Sequence, residues 1–251
     1  YDIFPRANKS EWGYNFTMET GKDSRILANV KNKYFEYGVL LHETGHAFHG
    51  FESAALPYFR QREVTLEMAE VASMSMELLA APYLSGPDGF YSPEEAARAR
   101  VQHLEFHLSF WPYMAIVDGF QHWAYENPEQ AADPARCDEC WAGLWQRFRP
   151  DLDYSGLEDS QRTGWLRKLH IFTDPLYYVE YGMAQLAAVQ VWANARADQA
   201  GAVAAYRRAL ALGGNAPLPD LYAAAGARFQ FDETTLGAAV QLIQTTLEQL
   251  Q

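Results

Sequence analysis

LLHETGHAFH, residues 40–49, decides how the rest of the chain is read. It sets His42 and His46 four apart, with Glu43 directly after the first. On an α-helix, residues four apart lie about 40° from one another around the axis and about 6 Å along it. Two imidazoles so placed can reach one metal ion. Glu43 is turned about 100° from His42, beside the ion rather than over it. A base is needed there to take a proton from water activated by a metal. H-E-x-x-H on a helix therefore has the mechanics of a zinc hydrolase. The alternative is a helix that merely carries two surface or core histidines. Leu40, Leu41, Ala47 and Phe48 give this helix residues available for burial.

A catalytic zinc needs a third protein ligand and an open fourth position. His49 lies on the same face but about a turn beyond His46, so it overshoots an ion held between His42 and His46. The longer H-E-x-x-H-x-x-G-x-x-H pattern fails, because Glu52 stands where the third histidine would be. VTLEMAEVASMSMELLAA (64–81) has no Gly or Pro before Pro82 and is expected to be a second helix. Paired antiparallel with the first, it can bring a carboxylate to the ion. Spacing favours Glu70 and leaves Glu67, one turn away, open. Two neutral imidazoles and one carboxylate suit zinc.

Around this pair the chain is predominantly helical. Helices are expected over 34–52, 64–81, 92–111 and onward to about 125, 174–199, 201–212 and 233–250. Ser92, Pro93 and the acids Glu94 and Glu95 form a well-marked helix start. Pro112 is expected to kink the long helix that follows. Residues 1–24 look irregular, and the segment from Cys137 to Thr173 looks mixed. RILANV (25–30) is a short strand candidate. No repeat, low-complexity tract or linker interrupts the chain, so it is expected to be a single domain over 1–251, mainly α, with a short edge strand or small β-sheet near its start.

Composition limits the partners. At 251 residues with 49% hydrophobic and 21% charged residues, the chain can bury a large core. A net charge of −12 argues against nucleic acid, whose phosphates need a basic surface. No run of 18 apolar residues exists, so no membrane span is expected. Cys137 and Cys140 have the spacing of a zinc or redox pair but lack a second pair, and acids lie between them. They are expected to be incidental thiols of a cytoplasmic protein.

HETGHAFH followed by EVASMSME (70–77) resembles the thimet oligopeptidase and oligoendopeptidase F family of zinc peptidases. There H-E-x-G-H-x-x-H is followed by a glutamate ligand in E-x-(P or A)-S-x-x-x-E. HIFTDPLYYVEYGMAQLAAVQVW (170–192) is similar to the family's C-terminal His and Tyr segment, and NAPLPDLYAAAGARF (215–229) to its closing loop and short helix. The resemblance covers nearly the whole chain. It implies a zincin-like helical catalytic domain that binds one Zn2+ through His42, His46 and Glu70, with Glu43 as general base. It also implies hydrolysis of short oligopeptides.

Attack of water on an amide creates an oxyanion, which tyrosine hydroxyls and imidazoles can stabilise. His170, Tyr178 and Tyr181 are the candidates that the resemblance implies. Tyr178 and Tyr181 are three apart on one helical face, while Tyr177 is turned elsewhere and is a lesser candidate for touching substrate. Without the resemblance, the same residues are a Tyr-rich packing helix. An exposed strand edge at Ala28 and Asn29 could hold an extended peptide by main-chain hydrogen bonds; a plain sheet edge is the alternative. Glu77 either orients a ligand from behind or is a solvated helix residue. His103, His107 and His122 show no partner pattern and are expected to be structural.

One departure matters. Family members are usually about twice this long, and their N-terminal half forms the opposite wall of a deep channel. A further N-terminal segment or a second copy of the chain is therefore expected to complete the cleft. Two rival readings follow: a catalytically inert zinc-binding module, and a metallocarboxypeptidase.

Overall fold

A computed structural model describes residues 1–9, 13–18, 23–31 and 34–250. The chain parts into two compact units, Tyr1–Leu104 with Met183–Gln251, and Glu105–Gly182. The sequence presents one unbroken domain because two helices run through the unit boundaries and no linker marks them. These are α4 (Pro93–Glu126) and α9 (Tyr178–Ala197).

The first unit opens with a hairpin. β1 (Tyr14–Thr17) pairs antiparallel with β2 (Ser24–Leu27), Tyr14 opposite Leu27 and Thr17 opposite Ser24. Residues 1–24 were expected to be irregular, yet they hold β1. Four residues are too few for an alternating pattern to stand out. Residues 10–12 and 19–22 of that stretch lie outside the described residues. The strand expected over 25–30 ends at Leu27, but its continuation stays paired. The Ala28 and Val30 amides donate to the Asp2 and Ile3 carbonyls at 3.0 and 2.7 Å. Lys9 Nζ donates to the Ala28 carbonyl at 2.6 Å and to the Asp2 carbonyl at 2.7 Å. The chain's own first residues thus occupy the main-chain groups of Ala28, which is buried.

α1 (Tyr34–Ser53) and α3 (Leu66–Ala80) form the core pair, separated by the short α2 (Phe59–Arg62). Met68, Val71, Ala72 and Leu78 of α3 are buried. The two helices touch backbone to backbone at Gly45. A Cβ there would fall 2.5 Å from Ser73 Cα and 2.6 Å from the Ala72 carbonyl oxygen. The buried Tyr206 of α10 (Gln199–Ala211) donates its hydroxyl to the same Ala72 carbonyl at 2.7 Å. Phe48, offered by the sequence for burial, remains 39% exposed and meets Phe51 instead. α11 (Leu218–Ala224) and α12 (Glu233–Leu250) complete the unit, burying Tyr222 and Ile243. α4 starts as its sequence indicates. Ser92 N–H donates to Glu95 at 2.9 Å, and Glu95 N–H donates to Ser92 Oγ at 3.3 Å, a reciprocal cap.

The second unit comprises the rest of α4, then α5 (Pro128–Ala131), α6 (Pro134–Phe148), α7 (Glu158–Arg162), α8 (His170–Thr173) and the first turn of α9. α4 continues as one helix through Pro112. The core of this unit is aromatic: Phe110, Phe120, Trp141 and Tyr178 pack with Ile116, Val117 and Cys137. α9 begins at Tyr178 rather than at 174. Pro175 and Leu176 precede it, and Leu176 adopts a left-handed φ of 61°. That conformation is unfavourable for a branched side chain. The buried Gln121 carbonyl holds it, accepting the Leu176 N–H at 2.8 Å.

Candidate metal centre

His42 and His46 project from one face of α1, their rings 5.0 Å apart and nearly perpendicular. Gly45 between them lets α3 approach closely enough for Glu70 to reach both. Glu70 Oε2 lies 3.2 Å from His42 Nε2 and 4.0 Å from His46 Nε2. One donor atom from each of the three residues falls within 4.8 Å of the others, a spacing that can enclose a metal ion. Glu70, and not its neighbour Glu67, enters this group. Ser73, one turn on, donates its hydroxyl to Glu70 Oε2 at 3.0 Å and fixes the carboxylate. His49 stays outside the group. It is buried, its Nε2 has no hydrogen-bond partner, and burial together with His46 lowers its pKa to about 4.

Behind His42 stands Glu77. Its Oε1 lies 2.8 Å from His42 Nδ1, and its Oε2 lies 2.7 Å from His103 Nε2. Glu77 is therefore not a solvated helix residue: it contacts His42 of α1 and His103 of α4 together. His103, expected to be merely structural, belongs to this chain of contacts. Its partner sits 26 residues away on another helix, so no local spacing could reveal it.

The charges follow from this arrangement. Burial would raise the pKa of Glu77, but hydrogen bonds from His103 and His42 hold it well below the usual carboxylate range. Burial would lower that of His42, but hydrogen bonds to Glu70 and Glu77 and their charges raise it well above the ordinary value. His46 lacks such bonds, so burial and the neighbouring His42 lower its pKa to about 4. Glu43, directly after His42, is buried, and burial raises its pKa to about 7 despite the charge on His42. Its carboxylate rests where Gly13 leaves room. A Cβ at that position would come 2.8 Å from Glu43 Oε1 and 2.7 Å from Val39 Cγ1. Nothing in the sequence around Gly13 signals this contact.

His170, Tyr177, Tyr178 and Tyr181 come together within the second unit. The His170 ring stacks parallel to Tyr177 with centroids 6.0 Å apart. Its edge meets Tyr178 at 5.2 Å and Tyr181 at 5.8 Å. Tyr177 and Tyr181 approach to 4.8 Å. Tyr178 is the buried member, covered by the Lys168 ammonium 3.8 Å above its ring. Burial pushes its hydroxyl pKa upward. Tyr177 and Tyr181 are half-buried.

A family model for peptidase family M3 matches residues 1–240. The chain is similar to PZ peptidase A, solved with an inhibitor, at 31% identity and a TM-score of 0.90; the match covers 99% of this chain and 43% of that one. A structure assigned to oligoendopeptidase F matches at 33% identity and a TM-score of 0.89, over 98% of this chain and 43% of its own. One so assigned from Bacillus anthracis str. Ames matches at 28% and 0.82, over 98% and 40%. No curated protein matches. The chain spans less than half the length of these solved relatives, and its mainly helical fold is theirs. It belongs to peptidase family M3.

Proposed function

We propose that this member of peptidase family M3 is a zinc-dependent endopeptidase that cuts short oligopeptides. One observation carries the proposal: two imidazoles and a carboxylate converge within 4.8 Å, with Glu43 buried directly beside the first imidazole. Two neutral nitrogens and one carboxylate oxygen fit a zinc ion and leave room for a further donor. His42, His46 and Glu70 would hold the ion, which supplies Lewis acidity when bound.

Glu43 is the general base. It accepts a proton from the attacking water and passes it to the leaving amine. Its burial favours the proton-bearing form that the second half of that task requires. Glu77 accepts a hydrogen bond from His42 Nδ1 and so presents Nε2 as the donor atom. His170 contacts the substrate backbone, and tyrosine hydroxyls stabilise the oxyanion. Burial of Tyr178 beneath Lys168 supports giving it the task of holding His170 and Tyr181 in place. The half-buried Tyr177 and Tyr181 are then the hydroxyl donors. Asn29, following the occupied Ala28, is the proposed main-chain contact to an extended peptide.

The rest of the cleft is assigned to residues outside these 251, from a further segment or a second copy. Among the described residues no helix is long and apolar enough to cross a membrane. The free thiols of Cys137 and Cys140 support a reducing, cytoplasmic location.

Hydrolysis of internally quenched peptides by wild type and Glu43→Gln, with zinc measured in both, tests the proposal. Turnover should fall by about 10²- to 10⁴-fold in the variant while zinc is retained. Stoichiometric zinc without cleavage by wild type would instead favour an inert metal-binding module. Stepwise release of single C-terminal residues would favour a carboxypeptidase.

A further inference from the structure

Within the second unit, Arg167 and Lys168 border a cavity of about 280 Å³ walled by the rings of Tyr113, Trp145 and Tyr154. No Asp or Glu lines it. That is unusual placement for two adjacent cations in a chain of net charge −12. Neither cation makes an ion pair among the described residues. Arg167 reaches only the Ser160 carbonyl, at 3.5 Å. The Lys168 ammonium lies over the faces of Tyr178 and Tyr113, at 3.8 and 5.3 Å from their centroids. Ring faces attract a cation but leave its hydrogen-bond donors unused. Burial accordingly lowers the Lys168 pKa to about 8, where a bound anion would restore it.

The cavity wall also holds a buried polar group. Trp141, also in its lining, is 1% exposed, and its indole N–H has no acceptor. Buried donors without partners are rare in native structures. Gly164, another lining residue, packs beside this N–H. A Cβ there would stand 2.9 Å from Trp141 Nε1.

We propose that this cavity binds the free carboxylate end of a short peptide. The carboxylate lies between Lys168 and Arg167, and the terminal side chain rests on the aromatic walls. The volume lies near the roughly 300 Å³ lower limit of ligand pockets. It admits one terminal residue and no folded partner. Assigning the anion to a peptide end rests on the peptidase function proposed above; the cations and rings do not depend on it.

The test is calorimetric titration of the full chain carrying Glu43→Gln, so that binding is measured without turnover. The probes are N-acetylphenylalanine, its carboxamide, and inorganic phosphate. The acid should bind at least about tenfold more tightly than the neutral amide, as expected when charge-assisted bonds are lost. Lys168→Met and Arg167→Gln should each weaken the acid about tenfold. Arg167→Gln keeps the test intact if Lys168→Met disturbs the packing on Tyr178. Equal binding of acid and amide, indifference to both cation variants, or displacement of the acid by equimolar phosphate would each overturn the proposal. Loss of peptide hydrolysis with tight acid binding would count against the endopeptidase reading alone.

Discussion

His103 Nε2 and Glu77 Oε2 meet at 2.7 Å, and the other oxygen of the same carboxylate meets His42 at 2.8 Å. One glutamate thus ties a metal-facing histidine to a helix that carries none of the metal-facing group. In the proposed metal-bound state, a proton on His42 Nδ1 facing ionised Glu77 would leave Nε2 its lone pair for the ion. Glu77→Gln keeps the shape but loses the charge. Zinc affinity should drop by about 10- to 100-fold, with a smaller drop for His103→Ala. Competition against a fluorescent chelator measures both, and an unaltered affinity in Glu77→Gln would refute the orienting role.

Gly13 should control activity without controlling metal binding. Its missing side chain makes space for Glu43, so Gly13→Ala must displace either that carboxylate or Val39. A misplaced catalytic group costs about 10- to 100-fold in rate. Turnover should fall by that factor while zinc affinity stays within about twofold. Equal rates for wild type and variant would show that Glu43 tolerates the intrusion.

Two glycines of one helix should respond with opposite signs. Gly38 has nothing within 4 Å of an added Cβ, whereas at Gly45 the Cβ meets the α3 backbone at 2.5 Å. Alanine is the better helix former by about 1 kcal/mol, so Gly38→Ala should stabilise by up to that amount. Gly45→Ala forces the helices apart and should destabilise by about 1–3 kcal/mol or more. Urea unfolding of the two variants gives the comparison directly.

His49 should make stability fall in mild acid. The unfolded residue takes up a proton near pH 6.5, while the folded one resists until about pH 4. Between those values the unfolded state binds more protons, so stability decreases as pH falls through that window, by up to about 3 kcal/mol. His49→Gln cannot take up that proton and should show a shallower decline. Denaturant titrations of both proteins without metal, at pH 7, 6, 5 and 4.5, measure the difference; parallel curves would exclude the effect.

Much of the site was legible because its logic is local. H-E-x-x-H works through the fixed rotation and rise of one helix, so His42, Glu43 and His46 could be placed from spacing alone. α4 announced itself through its cap at Ser92 and Glu95, and α3 through the absence of Gly and Pro. Spacing favoured Glu70 but left Glu67 open, since either can face a neighbouring helix. The choice depends on how deeply α3 settles against Gly45.

The sequence by itself determined the helical class and the shared face of His42 and His46 with Glu43 beside it, because each follows from helical periodicity. Only the tertiary structure decided that Glu77 joins His42 to His103, that Gly13 makes room for Glu43, and that residues 2 to 9 occupy the main chain of Ala28. It also decided that Tyr178 lies buried beneath Lys168, while Tyr177 keeps more of its surface exposed. These contacts join residues distant in the chain, and their distances depend on how helices pack. No one-dimensional spacing carries that information, because packing is set by the shapes of all the side chains between them.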